Sequence, residues 1–188
     1  MFRPIIYFTL ALLAVGAASC THHSIDRKAL IAKTLYSLGT IQVLDGDEVF
    51  ARELFSEALK YEPGQLEATY GLGYCCAKNC SNESGDCDTA LKLLDQVIKY
   101  QPLYRKAYYN RGVVNEYKGN YRQAIKDYSC AIFIDNKDAD YYYARGNTWH
   151  KLGCLRLALN DYREAECMGH SRAEEQIEKI QHEIKLRK

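Results

Sequence analysis

The sequence predicts an all-α chain, four helix–turn–helix units in tandem followed by one closing helix. Four observations carry this expectation. Segment 108–135, YYNRGVVNEYKGNYRQAIKDYSCAIFID, realigns with YYARGNTWHKLGCLRLALNDYREAECMG at 142–169 after a shift of 34 residues. LYSLGTIQVLDGDEVFARELFSEALKYEP at 35–63 falls on the same frame. Proline, which breaks helix interiors, occurs only three times. The last residues, AEEQIEKIQHEIKLRK, place Ala173, Ile177, Ile180 and Ile184 on one helical face.

The chain opens MFRPIIYFTLALLAVGAASC. One positive charge, Arg3, an apolar run from Ile5 to Ala18 and small residues before Cys20 are the layout of a secretory signal over residues 1–19. The run is short for a membrane span. Small residues abutting Cys20 resemble a bacterial lipobox, although Ala17 stands where Leu is usual. Cys20 is therefore the expected lipid attachment, and a plainly cleaved signal with a secreted product is the alternative. Residues 20–31 form a short tether and helix start, with the helix expected near Ser24.

The first unit spans 32–65, the second 66–104, the third 105–138 and the fourth 139–172. Gly39, Gly73, Gly112 and Gly146 recur where one helix must approach its neighbour, and Gly46, Gly85, Gly119 and Gly153 where a turn is needed. Ala51, Ala90, Ala124 and Ala158 mark a small core position, and Phe55, Leu94, Tyr128 and Tyr162 a large one four residues on. Pro63 and Pro102 close two units, while Asn136 and His170 stand in their place in the others. One helix pair cannot bury its apolar stripe alone, so the units must stack. Residues 173–188 then cover the last unit, with Glu174 and Glu175 at the start and Lys185, Arg187 and Lys188 at the end, in the order the helix dipole favours. A partner-binding amphipathic tail is the other reading of this segment.

This 34-residue pattern resembles the tetratricopeptide (TPR) repeat over nearly all of 32–172. The resemblance implies a TPR superhelix of four repeats plus a capping helix, acting as a binding scaffold whose first helices line a concave groove for a peptide or partner helix. In that frame Tyr36, Tyr70, Tyr109 and Tyr143 occupy the groove-facing fifth position, with Thr40, Tyr74, Val113 and Asn147 one turn on. Lys33, Glu67, Lys106 and Asp140 flank this ladder, and His150 also falls on a groove position. Tyrosine supplies a rigid, amphipathic contact area that suits interface anchors. It also packs between units in this family, so both roles are open. The carboxylate clamp of some cytosolic relatives is expected to be absent. Read onto units two to four only Asn110 matches it, and read onto units one to three only Lys106 does.

Four of the eight cysteines lie in GLGYCCAKNCSNESGDCDTA, Gly71 to Ala90. The second unit is five residues longer than the others, so the first helix of that unit should run from about Leu66 to Lys78 and the second start near Asp86, around a cysteine-rich insertion at 79–84. A Cys80–Cys87 disulfide would bracket the polar insertion, with Cys76–Cys87 as the competing bridge. Cys75 and Cys76 also read as small buried residues. A four-thiolate zinc site is the sharper alternative. Structural zinc usually takes paired C-x2-4-C ligands, and adjacent helical residues point about 100° apart. No C-x-x-C redox motif is present. If Cys20 is lipidated, Cys75, Cys76, Cys80, Cys87, Cys130, Cys154 and Cys167 remain, an odd number.

Removing residues 1–19 takes away Arg3 and no acid, so the 25 basic residues become 24, equal to the 24 acids. A neutral chain without a basic stripe is a poor nucleic-acid binder. G-x-S-x-G, H-E-x-x-H and G-x-x-x-x-G-K-[ST] are missing, so no enzyme and no cofactor is expected. His22 and His23 suit weak metal contact or plain solvation. Asn79-Cys80-Ser81 and Asn82-Glu83-Ser84 fit the glycosylation pattern, relevant only in a eukaryotic source. The expectation is a membrane-anchored interaction adaptor of a bacterial envelope, facing the periplasm, with a protein partner. A metal- or redox-active protein built on Cys75–Cys87 is the rival.

Overall fold

A computed structural model describes residues 27–80 and 86–186. Among these residues there are nine helices and no strand. They are α1 (Arg27–Leu44), α2 (Glu48–Tyr61), α3 (Leu66–Lys78), α4 (Asp86–Tyr100), α5 (Arg105–Tyr117), α6 (Tyr121–Ile134), α7 (Ala139–Lys151), α8 (Leu155–Cys167) and α9 (Ala173–Leu186). The helix bounds at the cysteine-rich insertion, Lys78 and Asp86, coincide with those expected from the repeat frame. The chain divides into two compact units within α4, between Gln96 and Val97.

In the first unit α1 pairs with α2, and α2 packs on α3. Asp47 caps α2 by accepting a hydrogen bond from the Phe50 amide at 3.0 Å. Phe55, 2% exposed, is the keystone. A Cβ placed on Gly39 of α1 or on Gly71 of α3 would come within 2.7 Å of its ring. Two helices thus close on one aromatic from both sides, and Gly71, which the repeat pattern did not mark, is one of the contacts. Arg52 of α2 reaches Asp86 at 2.8 Å and ties the first turn of α4 to the body of the unit.

In the second unit α5 pairs with α6, α7 with α8, α6 packs on α7, and α9 covers α8. The turn after α5 shows why glycine recurs. Gly119 has φ 78°, the left-handed region, which lets its amide reach Glu116 O at 3.0 Å while Asn120 N reaches Asn115 O at 2.8 Å. Gly169 makes the same turn after α8, at φ 84°, a position the 34-residue spacing of the second glycines left out. The large residues are Tyr128 and Tyr162, both 0% exposed. Each ring lies on a glycine of the preceding helix, and each hydroxyl finds an acceptor: Tyr128 Oη donates to Glu116 Oε2 at 2.9 Å, Tyr162 Oη to Asn147 Oδ1 at 2.8 Å.

The units differ in one buried pair. Where the first packs a half-buried Leu38 on the cluster that holds Leu54, the second carries Arg111 against Asp127 and Arg145 against Asp161, as two-pronged ion pairs with shortest contacts of 2.6 and 2.7 Å. Asn115 donates a further bond to Asp127, and Arg145 one to Ser129. Planar guanidinium against carboxylate gives both energy and orientation. The cap is as expected: Ile177 and Ile180 are buried against Leu155, Ala158 and Tyr162, with Ile184 packed beside them, and Ala173 is buried as well.

Candidate functional site

Tyr109 of α5 and Tyr143 of α7 each pack on the large ring of their own pair's second helix, with centroids 5.7 Å from Tyr128 and from Tyr162, and both come to one face of the second unit. Between them opens a cleft of about 300 Å³, lined in part by Tyr109, Val113, Tyr143, Asn147, His170 and Arg172. Tyr109 is held by its edge contacts. Its ring centroid lies 5.7 Å from Tyr128 and 5.2 Å from Tyr141. Burial, with Asp140, Asp138 and Glu116 nearby, pushes its phenol up to about 12. Burial does the same to Tyr141 and raises Tyr128 and Tyr162 further.

The other wall is built by the link between α8 and α9. His170 stacks on Tyr143 with centroids 3.9 Å apart and planes at 18°. Its Nδ1 accepts the Arg172 amide at 3.3 Å, so the proton of the neutral ring sits on Nε2, 3.5 Å from Asp140 Oδ1. The Arg172 guanidinium lies over the Tyr143 ring, 5.1 Å from its centroid. At the floor, Glu116 is saturated. It accepts from Tyr128 and Thr148 and pairs with Lys151 at 2.8 Å.

The expected groove residues fare unequally. Tyr109, Val113, Tyr143 and Asn147 do line one cleft, in the second unit. Asn110 does not. It is 8% exposed and sits in the core, because the residue after Tyr109 turns about 100° toward the interior. His150 also leaves the groove, pairing with Glu183 of α9 at 3.0 Å, so it fastens the cap to α7. In the first unit Tyr36 packs on Phe55 at 5.9 Å, and Lys78 lies over Tyr74 at 5.8 Å. Tyr70 and Tyr74 are half-buried. His170 and Arg172 were missed by sequence reasoning. The loop carrying them closes the fourth unit where proline closes two others, and that departure was the available signal.

Cys80 and Cys87 are joined by a disulfide, with Cα atoms 4.7 Å apart. Cys75 and Cys76 are 0% exposed, and burial pushes the Cys75 thiol up to about 12 and the Cys76 thiol upward too. That is the reverse of what a metal ligand or attacking thiolate needs. Among the described residues no group of three or more His, Cys, Asp and Glu side chains is gathered as metal ligands. Cys20, the signal segment, His22 and His23 lie outside the described residues. Among the described residues no helix is long and apolar enough to cross a membrane.

Stacked helix pairs, with a helical glycine on Phe55, Tyr128 or Tyr162 and on Leu94 in the second repeat, make an α-helical repeat fold of the tetratricopeptide type. The comparisons agree. Residues 117–153 match the family described as TPR repeat. Photosystem I assembly protein Ycf3 of Acaryochloris marina (strain MBIC 11017) is 26% identical over 144 residues, covering 75% of this chain and 78% of that protein. Among solved structures, MamA from Desulfovibrio magneticus RS-1 superposes with a TM-score of 0.67 at 18% identity, over 88% of this chain and 97% of that one. A crystal structure of MamA gives a TM-score of 0.65 at 23% identity, over 76% and 81%. At such identities these structures speak for the fold alone.

Proposed function

We propose that this protein is a non-enzymatic interaction scaffold that holds a peptide or partner helix on the first-helix face, anchored by a lipidated Cys20 to a bacterial envelope membrane and facing the periplasm. One observation carries the interaction reading: a preformed cleft with aromatic walls stays open on the second unit, although every neighbouring aromatic is packed. Tyr109 and Tyr143 offer their phenol edges there, the chemistry of an interface anchor. A relative named as an assembly protein is in keeping with such a role.

The envelope reading rests on the N-terminal residues and on cysteine use. Disulfides persist outside the cytoplasm, and a Cys80–Cys87 bridge suits that compartment. A lipid chain contributes about 0.8 kcal/mol per buried methylene, and the tether from Cys20 would keep the scaffold close to the bilayer. Two experiments separate the parts. Cys20→Ala should move the protein from the membrane pellet to the soluble fraction. Val113→Trp, which fills the cleft, should abolish partner capture from intact cells while leaving the circular dichroism spectrum unchanged. A protein still pelleting after a salt wash contradicts the anchor, and undiminished capture contradicts the cleft.

A further inference from the structure

We propose that the cleft of the second unit takes a single carboxylate, from an aspartate or glutamate within a partner segment, on the guanidinium of Arg172. The proposal rests on the scaffold reading above and adds the chemistry of what is bound. It follows from a count of unspent groups. Of the charges at the cleft, Glu116 is neutralised by Lys151 and two hydroxyl donors. Asp140 faces His170 and is 67% exposed, so water screens it. Arg172 has no carboxylate partner among the described residues. Its guanidinium lies over the Tyr143 ring, a contact that uses none of its N–H donors and leaves them for a ligand.

Two further donors flank it. Among the described residues the hydroxyls of Tyr109 and Tyr143 make no hydrogen bond, both residues being held by ring contacts instead. A cleft of about 300 Å³ has room for one or two side chains. Charge sets the valence. Arg172 is the one Lys or Arg among the lining residues, which matches a monoanion, whereas a phosphate would bring a second charge with no second guanidinium or ammonium to meet it. The residues of the clamp that grips chain ends are lacking apart from isolated matches, so an internal acidic side chain is the occupant.

The test uses the purified full-length chain and a random peptide library displayed inside a loop of a carrier protein, so that no peptide end is free. The expected result is enrichment of Asp or Glu at one position. One selected peptide is then compared with its amide counterpart, Glu→Gln or Asp→Asn. Arg172→Gln should weaken the acidic peptide about ten-fold and leave the amide peptide nearly unchanged, as loss of a charge-assisted pair does. Arg172→Lys should fall between, since it keeps the charge and loses the fork. Peptides that bind in the cleft without an acidic residue, or equal weakening of acid and amide, overturn the carboxylate inference and leave the scaffold standing. So does a phosphoserine peptide that binds more tightly than the glutamate one, or a preference for a free chain end. No recovered peptide from a folded chain, or binding indifferent to Val113→Trp, overturns both.

Discussion

Gly112→Ala tests the contact on which the cleft is built. A Cβ at Gly112 would lie 2.7 Å from Tyr128 Cε1 and 2.9 Å from Cδ1, well inside van der Waals contact. The ring cannot retreat. It is 0% exposed, packed with Ala124, Ala144 and Tyr109, and its hydroxyl is tied to Glu116 at 2.9 Å. Overpacking of this kind costs about 1–3 kcal/mol, offset by about 1 kcal/mol from the better helix propensity of alanine. The net loss of about 0–2 kcal/mol should lower the melting temperature of a unit this size by up to about 10 °C. A second substitution sharpens the test. Gly73 faces leucines in the first unit, where a Cβ would meet Leu93 Cβ at 3.2 Å and Leu94 at 3.4 Å, both milder than 2.7 Å. Tyr128→Leu should therefore absorb much of the damage, with a coupling energy of about 1 kcal/mol in a double-mutant cycle followed by thermal melts. A Gly112→Ala protein that melts higher than wild type, or a cycle with no coupling, would refute the close-approach argument.

The buried ion pairs make a second prediction. Arg145→Gln strands Asp161, 8% exposed, and should cost about 3 kcal/mol by denaturant melts, whereas the double change Arg145→Leu with Asp161→Leu, copying Leu38 and Leu54, should stay within about 1 kcal/mol of wild type. Alkali should act on the second unit. Tyr109 and Tyr141 are raised to about 12, above the ordinary 10, so their contribution is complete below pH 10 and is lost as pH rises from 10 toward 12, because the unfolded chain ionises first. Circular dichroism melts from pH 8 to 12 should show this loss, and Tyr109→Phe should reduce it. Replacing Cys80 and Cys87 by Ser removes a bridge across seven positions, expected to cost about 2 kcal/mol with helicity retained. Non-reducing peptide mapping that recovers both thiols free would contradict the bridge.

The repeat frame was legible because the contact that sets it is a pair of residue types: a glycine on one helix and a large ring on the next, as in Gly39 with Phe55 and Gly112 with Tyr128. That pair recurs at fixed spacing, so a period reveals it. Helix ends were legible for the same reason, since Gly119 and Gly153 stop helices by the left-handed turn. What the period could not show was content that breaks it. Gly71 packs on Phe55, but the residues at its position in the third and fourth repeats are Asn110 and Ala144, so no glycine recurs there, and Gly169 closes the fourth unit out of step with the other turn glycines. The cleft was half legible. Tyr109 and Tyr143 follow from their repeat position, but His170 and Arg172 come from a link between helices, where no periodic rule fixes direction. His150 failed because Glu183, its partner, lies 33 positions away on the cap, where no repeat rule links the two. Asn110 failed because a groove position in the family frame does not decide which side of the helix faces water.

The central claim is that the face of α5 and α7 in the second unit is where this protein meets its partner. A photo-crosslinking amino acid placed at Val113, inside the cleft, can be compared in living cells with the same group at Phe133, the 89% exposed residue at the end of α6 and outside the cleft lining. The account predicts a discrete covalent adduct from position 113 that disappears with Tyr143→Ala, and none from position 133. Adducts from 133 alone, or adducts from 113 that survive loss of Tyr143, would contradict it.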